Sequence, residues 1–156
     1  MSLFSEILLW LFVLDLGVAF GAGLYETRIV LPLWFEPTAD GYRVDGAAML
    51  RTDVGRRFWG PAATLPLTLL TLANLALACL APPLRHDWWL AAALLALAER
   101  LSTFAFFIPM ALRLQRAPAS AATARRAAWW VRLNYGRIFL TLLAWLAALY
   151  TLSLPD

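Results

Sequence analysis

Ser5–Leu33 reads SEILLWLFVLDLGVAFGAGLYETRIVLPL. A bilayer core about 30 Å thick needs roughly 20 predominantly apolar helical residues, and this stretch exceeds that with only Glu6, Asp15, Glu26 and Arg28 charged. Three further stretches, Phe58–Ala81, Trp88–Leu112 and Trp129–Leu154, meet the same criterion. The breaks between them carry helix-stopping residues: Pro37 with Asp40-Gly41, Pro82-Pro83 with Arg85-His86-Asp87, and an Arg- and Ala-rich segment holding Pro118. The expected fold is all-α, an integral membrane four-helix bundle formed as a single domain by residues 1–156. Composition agrees, since 62% of residues are hydrophobic and 15% charged, against roughly a quarter charged in soluble domains. Soluble globular and intrinsically disordered classes are both disfavoured.

All 13 basic residues are Arg, which with the abundant Ala and Leu suggests a GC-rich bacterial genome and hence an inner-membrane location. The first connection carries Arg43, Arg51, Arg56 and Arg57, the third Arg113, Arg116, Arg125 and Arg126, and the second only Arg85. The positive-inside rule then puts the first and third connections in the cytoplasm and both termini outside. Trp34, Trp59, Trp88, Trp89, Trp129 and Trp130 sit at predicted span ends, where interfacial belts are expected. A signal peptide is the competing reading of the first span, but its n-region has Glu6 and no basic residue. Within the first connection Ala47, Leu50, Val54 and Phe58 share a helical face, which suits either a short interfacial helix or a solvated loop.

Six charges fall inside the spans: Asp15, Glu26, Arg28, Glu99, Arg100 and Arg137. Each costs roughly 2.5–3.5 kcal/mol at mid-membrane if unpaired. Glu99 and Arg100 diverge by about 100° around their helix and Glu26 and Arg28 by about 200°, so partners are expected from other helices. At about 1.5 Å per residue from the cytoplasmic ends, Arg28 and Asn134 lie about 7 Å deep, Glu26 about 10, Arg137 about 12, Thr103 about 13 and Glu99 about 19. Arg137 is therefore at the level of Glu26 and within reach of Glu99, while Arg100 is the basic partner available to Asp15. Polar stripes support an interior seam: Asp15, Ala19, Ala22 and Glu26; Thr64, Thr68, Thr71 and Asn74; Glu99, Ser102, Thr103 and Phe106; Asn134, Arg137, Thr141 and Trp145. Gly17 and Gly21 permit close helix approach, and Pro66 predicts a kink.

The candidate site residues are Glu26 or Glu99 as base, Arg137 as anion stabiliser, and Asn134, Arg28, Arg100, Asn74 and Thr103 as ligand contacts. A Glu held out of water can take an acidic C–H or phenol proton while a nearby Arg stabilises the oxyanion. The bland alternative is a set of ion pairs holding the bundle together, and Arg28, close to a helix end, can simply snorkel to headgroups. No metal or cofactor is implied: the one cysteine, Cys79, is in an apolar run and the one histidine, His86, is in the second connection. Nucleic acid is not an expected partner, because topology accounts for the basic clusters. The expected partners are the lipid bilayer, a lipophilic small molecule and, through the small residues of the first span, another copy of the chain.

Gly21-Ala22-Gly23-Leu24-Tyr25-Glu26-Thr27-Arg28, Arg57-Phe58-Trp59, Phe107-Ile108-Pro109, Leu133-Asn134-Tyr135-Gly136-Arg137 and Ala144-Trp145-Leu146 together resemble a broad bacterial family of small four-helix membrane proteins that includes the fungal anthrone oxygenases. The resemblance covers most of the chain. It implies an α-helical membrane bundle and, for the enzymatic branch, cofactor-independent oxygenation of an activated polycyclic phenol. A non-catalytic ligand-binding or accessory membrane protein is the alternative, and a transporter would require oligomerisation of so few spans.

Overall fold

The computed structural model describes residues 2–155. Four long helices account for most of it: α1 (Leu3–Trp34), α3 (Gly55–Ala78), α4 (Pro83–Arg116) and α5 (Ala121–Ser153). Between α1 and α3 lie β1 (Phe35–Thr38), β2 (Gly41–Val44) and the short helix α2 (Gly46–Thr52). α1 packs on α3 and α5, and α4 packs on α3 and α5, so the four long helices close a ring in which sequence neighbours are antiparallel. The α4–α5 seam is the most extensive. Both helices bury small side chains, Ala92, Ala93 and Ala96 on α4 and Ala144, Ala147 and Ala148 on α5, and small side chains let helix backbones approach where lipid offers no hydrophobic drive. The outer surface is the reverse: Leu14 and Val18 on α1, Leu69 and Leu72 on α3, and Leu101 and Phe139 on α4 and α5 are exposed. Such a surface suits lipid, and the chain is a multi-pass membrane protein.

The helices outrun the expected spans. α5 begins at Ala121, where Ser120 caps it by accepting the Thr123 amide at 3.1 Å, eight residues before the anticipated Trp129. α4 begins at Pro83, a residue whose missing N–H is harmless at the first helical position. Arg85, His86 and Asp87, expected in the connection, therefore lie in its first turns.

Three spans depart from α geometry, at Glu26–Val30 in α1, Gly55–Thr64 in α3 and Thr103–Phe107 in α4, where the backbone is π-helical. The cause is in the sequence. Pro32, Pro66 and Pro109 follow these stretches and cannot donate to the carbonyl four residues back. In each case the residue before the proline donates five residues back instead: Leu31 to the Glu26 carbonyl, Leu65 to Gly60, Ile108 to Thr103. The kink expected at Pro66 is thus one of three widened turns.

The first connection holds a hairpin that period-3.6 reasoning misses. Phe35 pairs with Val44 and Glu36 with Arg43 across antiparallel strands, joined by a tight turn at Ala39-Asp40. Gly41 leaves the turn at φ +138°, and a Cβ there would sit 2.5 Å from the Ala124 carbonyl, so the hairpin lies directly on α5. Of the two readings left open for this segment the helix is the one found, but its buried face is Ala48 and Met49 while Leu50 is exposed. Asp53 ends it at φ 41°, which removes Val54 and Phe58 from that helix.

The buried apolar residues form two clusters. One, nearer the termini, contains Leu9, Phe12, Leu16, Leu67, Trp89 and Ala144; the other, under the hairpin, contains Trp34, Phe35, Met49, Leu114 and Trp130. Glu26, Glu99, Arg100 and Arg137 lie between them.

Candidate functional site

α1 delivers Glu26, α3 delivers Trp59, α4 delivers Glu99, Arg100, Thr103 and Phe107, and α5 delivers Asn134 and Arg137. Glu26, Trp59, Thr103 and Phe107 all lie on π-helical backbone. Arg137 is the hub. Its Nη2 is 3.3 Å from Glu26 Oε2, its Nε donates to Asn134 Oδ1 at 3.0 Å, and its Nη1 is 4.0 Å from Glu99 Oε1. Its guanidinium carbon also lies 5.3 Å from the Trp59 ring centre and 5.0 Å from that of Phe107, distances at which the cation is attracted to the ring faces. Trp59 Nε1 donates to Glu26 Oε1 at 2.8 Å. Asn134, fully buried, turns its amide nitrogen to Thr27 Oγ1 at 3.4 Å. Glu99 accepts from Thr103 Oγ1 at 2.9 Å and pairs through Oε2 with Arg100.

The Glu99–Arg100 pair corrects the expectation that sequence neighbours point too far apart to meet. Both side chains face the bundle interior, 2% and 3% exposed, and the long Arg stem folds back across the angular gap. As a result Asp15 forms no ion pair with Arg100, which is turned to Glu99.

The expected contact residues divide. Arg137, Asn134, Glu26, Glu99, Arg100 and Thr103 belong to one continuous network. Arg28 is exposed on the bundle surface. Asn74 belongs to a separate polar knot, accepting from Trp89 Nε1 at 3.0 Å and donating to the Leu8 and Leu70 carbonyls. Thr68 and Thr71, expected to contribute to the interior seam, bond their own helix instead, to the Thr64 and Leu67 carbonyls. Gly17 does permit close approach, to Trp145, but Gly21 faces open space and Gly23 instead admits Ile138.

Sequence reasoning missed Trp59, Phe107 and Thr27. Trp59 was expected in an interfacial belt, as were Trp34, Trp89 and Trp130, yet the last three are buried and all four indole N–H groups donate inside the protein, to Glu26, Thr52, Asn74 and Phe107 respectively for Trp59, Trp34, Trp89 and Trp130. Only Trp88 and Trp129 of the six face outward. The usable signal was that a buried indole needs an acceptor; the start of α3 at Gly55, ahead of the expected Phe58, is what carries Trp59 into the bundle to meet Glu26.

Among the described residues no group of three or more His, Cys, Asp or Glu side chains is placed to hold a metal ion. Two concavities, of about 300 and 470 Å³, flank the hairpin, one lined by Tyr42, Ser120 and Thr123, the other by Trp34, Glu36 and Asp45. Neither is lined by the buried charges. The chain matches no protein-family model, no curated protein and no solved structure.

Proposed function

We propose that this membrane protein receives the weakly acidic head of a lipophilic small molecule at the Glu26–Arg137–Glu99 network. The observation that carries this is the convergence of three π-helical stretches, from three different helices, on one buried set of charges. A widened turn interrupts the regular hydrogen-bond ladder and is frequent at functional sites, and here the prolines that produce the three turns set them at one level of the bundle. Arg137, backed by Trp59 and Phe107, supplies a cation in apolar surroundings for a developing anion, and Glu26 supplies a base. The enzymatic form follows the resemblance to the anthrone oxygenases. Glu26 or Glu99 removes a proton from the activated carbon of a polycyclic phenol, the carbanion's electron pair forms a C–O bond with dioxygen, and loss of water from the resulting hydroperoxide leaves a carbonyl. The oxidant is dioxygen itself.

Orientation completes the proposal. Ten of the 13 Arg residues, including Arg28, Arg57, Arg116 and Arg132, are exposed at the hairpin end of the bundle, which favours that end as cytoplasmic in a bacterial inner membrane.

One observation favours a second function, a bundle stapled by ion pairs. Each oxygen of Glu26 and Glu99 already has a partner within the chain. Mass spectrometry of small molecules retained through purification in nanodiscs separates the two. A lipophilic phenol or acid retained by the wild type and lost in Arg137→Gln is expected; identical spectra from both proteins would favour the staple.

A further inference from the structure

A line of ring contacts runs from the hairpin to Arg137, and Trp130 of α5 stands in the middle of it. Phe35, the one buried residue of the two strands, packs on the Trp130 ring with 5.5 Å between ring centres. Phe107 meets the same indole edge-on at 5.8 Å, and its own ring centre lies 5.0 Å from the Arg137 guanidinium carbon. Ring pairs attract at such separations, and so do a ring face and a cation. Trp130 holds Phe107 by the main chain as well, since its Nε1 donates to the Phe107 carbonyl at 3.1 Å. Phe107 closes the π-helical stretch Thr103–Phe107, where the regular ladder is interrupted. The indole bond therefore ties that turn of α4 to α5.

The hairpin is held on the bundle by little else. Two strands of four residues do not stand without packing, and residues 36–40 are all exposed. Concavities of about 300 and 470 Å³ flank the hairpin, which leaves Phe35 on Trp130 and Gly41 over the Ala124 carbonyl as its close seats on α5. A segment with so few buried apolar contacts opens before the spans do. We propose that Trp130 is a positioning residue, which holds Phe107 against Arg137 while Phe35 is seated on it, so that the hairpin regulates the charged network. The consequence for a ligand rests on reading that network as a binding site; the relay from Phe35 to Arg137 does not.

The test is solid-state NMR on arginine-15N protein in phosphatidylethanolamine–phosphatidylglycerol vesicles, with Arg137→Lys identifying the Arg137 Nε–H signal. The proton shift of that signal reads the rings beside it. Trp130→Leu, which removes both ring and donor, should displace it, and Trp130→Phe, which keeps a ring and loses the donor, should displace it less. Phe35→Leu leaves Trp130 in place and removes only its partner in the hairpin; it should displace the signal in the same direction. Trp89→Phe is the control, because Trp89 is an equally buried indole donor in the other apolar cluster, and Arg137 should ignore it. A signal unmoved by Trp130→Leu or by Phe35→Leu, or moved as far by Trp89→Phe, overturns the proposal. Should Trp130→Leu or Phe35→Leu fail to fold, Trp130→Phe and Gly41→Ala decide in their place, and a signal unmoved by either overturns it equally. The readout uses no ligand, so the relay and the binding site fail separately: a molecule lost in Arg137→Gln, with an Arg137 signal indifferent to Trp130, sinks the relay alone.

Discussion

Replacing Glu26 and Arg137 by Gln, singly and together, measures the central contact. At 3.3 Å, with the two side chains 7% and 10% exposed, Coulomb's law gives an attraction of about 5 kcal/mol at an effective dielectric of about 20. Several features reduce what a cycle will report. The separation exceeds the roughly 2.7–2.9 Å of a strong charge-assisted bond, and Arg137 keeps Asn134 and the two aromatic faces when Glu26 is changed. Gln at 26 offers one oxygen where Glu offers two, so its amide must face either Trp59 Nε1 or Arg137 with the wrong end. Arg137→Gln leaves Glu26 with only Trp59, and should cost about 3–5 kcal/mol, the loss typical of breaking a buried pair. Glu26→Gln should cost less, about 2 kcal/mol, within the range for buried polar groups left poorly matched. The double variant should lose less than the sum, with a coupling of about 1.5–3 kcal/mol, in the upper part of the range for residues in direct contact. Reversible unfolding in mixed detergent micelles reads all three. Additivity within about 0.5 kcal/mol would refute the coupling and with it the role of Arg137 as hub.

Asn74→Leu should destabilise by about 1–3 kcal/mol, because it strands the Trp89 indole N–H in an apolar interior; an unfolding midpoint equal to the wild type's would count against that knot. Gly41→Ala combines φ +138° with a Cβ 2.5 Å from the Ala124 carbonyl, so the hairpin should lift from α5 at a cost of about 1–3 kcal/mol, seen as faster proteolysis between β1 and β2 while the spans stay protected. A phosphatase that folds only outside the cytoplasm, fused at the C-terminus, should be active. An inactive phosphatase, with a cytoplasmic reporter active in the same position, would reverse the orientation drawn from the arginines.

The four spans were legible because apolar length is a property of composition that survives local irregularity. Glu26 and Arg137 were legible as partners because depth along a helix is set by residue count, and one extra residue in a turn changes depth by only about 1.5 Å. Direction around the helix is far less forgiving. A period of 3.6 does not anticipate π-helical turns, although each is followed by a proline, at Pro32, Pro66 and Pro109, that could have flagged it. Glu99 and Arg100 were set apart by backbone angle alone, whereas the reach of an arginine stem decides the contact. The hairpin was hidden for another reason. Strands of four residues offer only two inward positions each, and here Phe35 and Val44 are separated by the polar Glu36, Thr38, Asp40 and Arg43, which read as a solvated connection.

The widened turns also set a phase relation along each rod. A helix carrying one residue more than its regular count behaves as two helices spliced about 100° out of step, so the faces above and below the splice address different neighbours. In α1 the segment below contributes Leu9, Phe12 and Leu16 to one apolar cluster, and the segment above contributes Val30, Leu31 and Trp34 to the other. The hairpin end can therefore keep its own azimuth while the terminal half keeps another, with Glu26 at the joint in α1 and Thr103 at the joint in α4. Removing one residue within Glu26–Val30 would not merely shorten the helix. It would turn Trp34 and everything hung from it about a quarter revolution relative to Leu9, Phe12 and Leu16, and the charged layer would be the place where the two halves fall out of register.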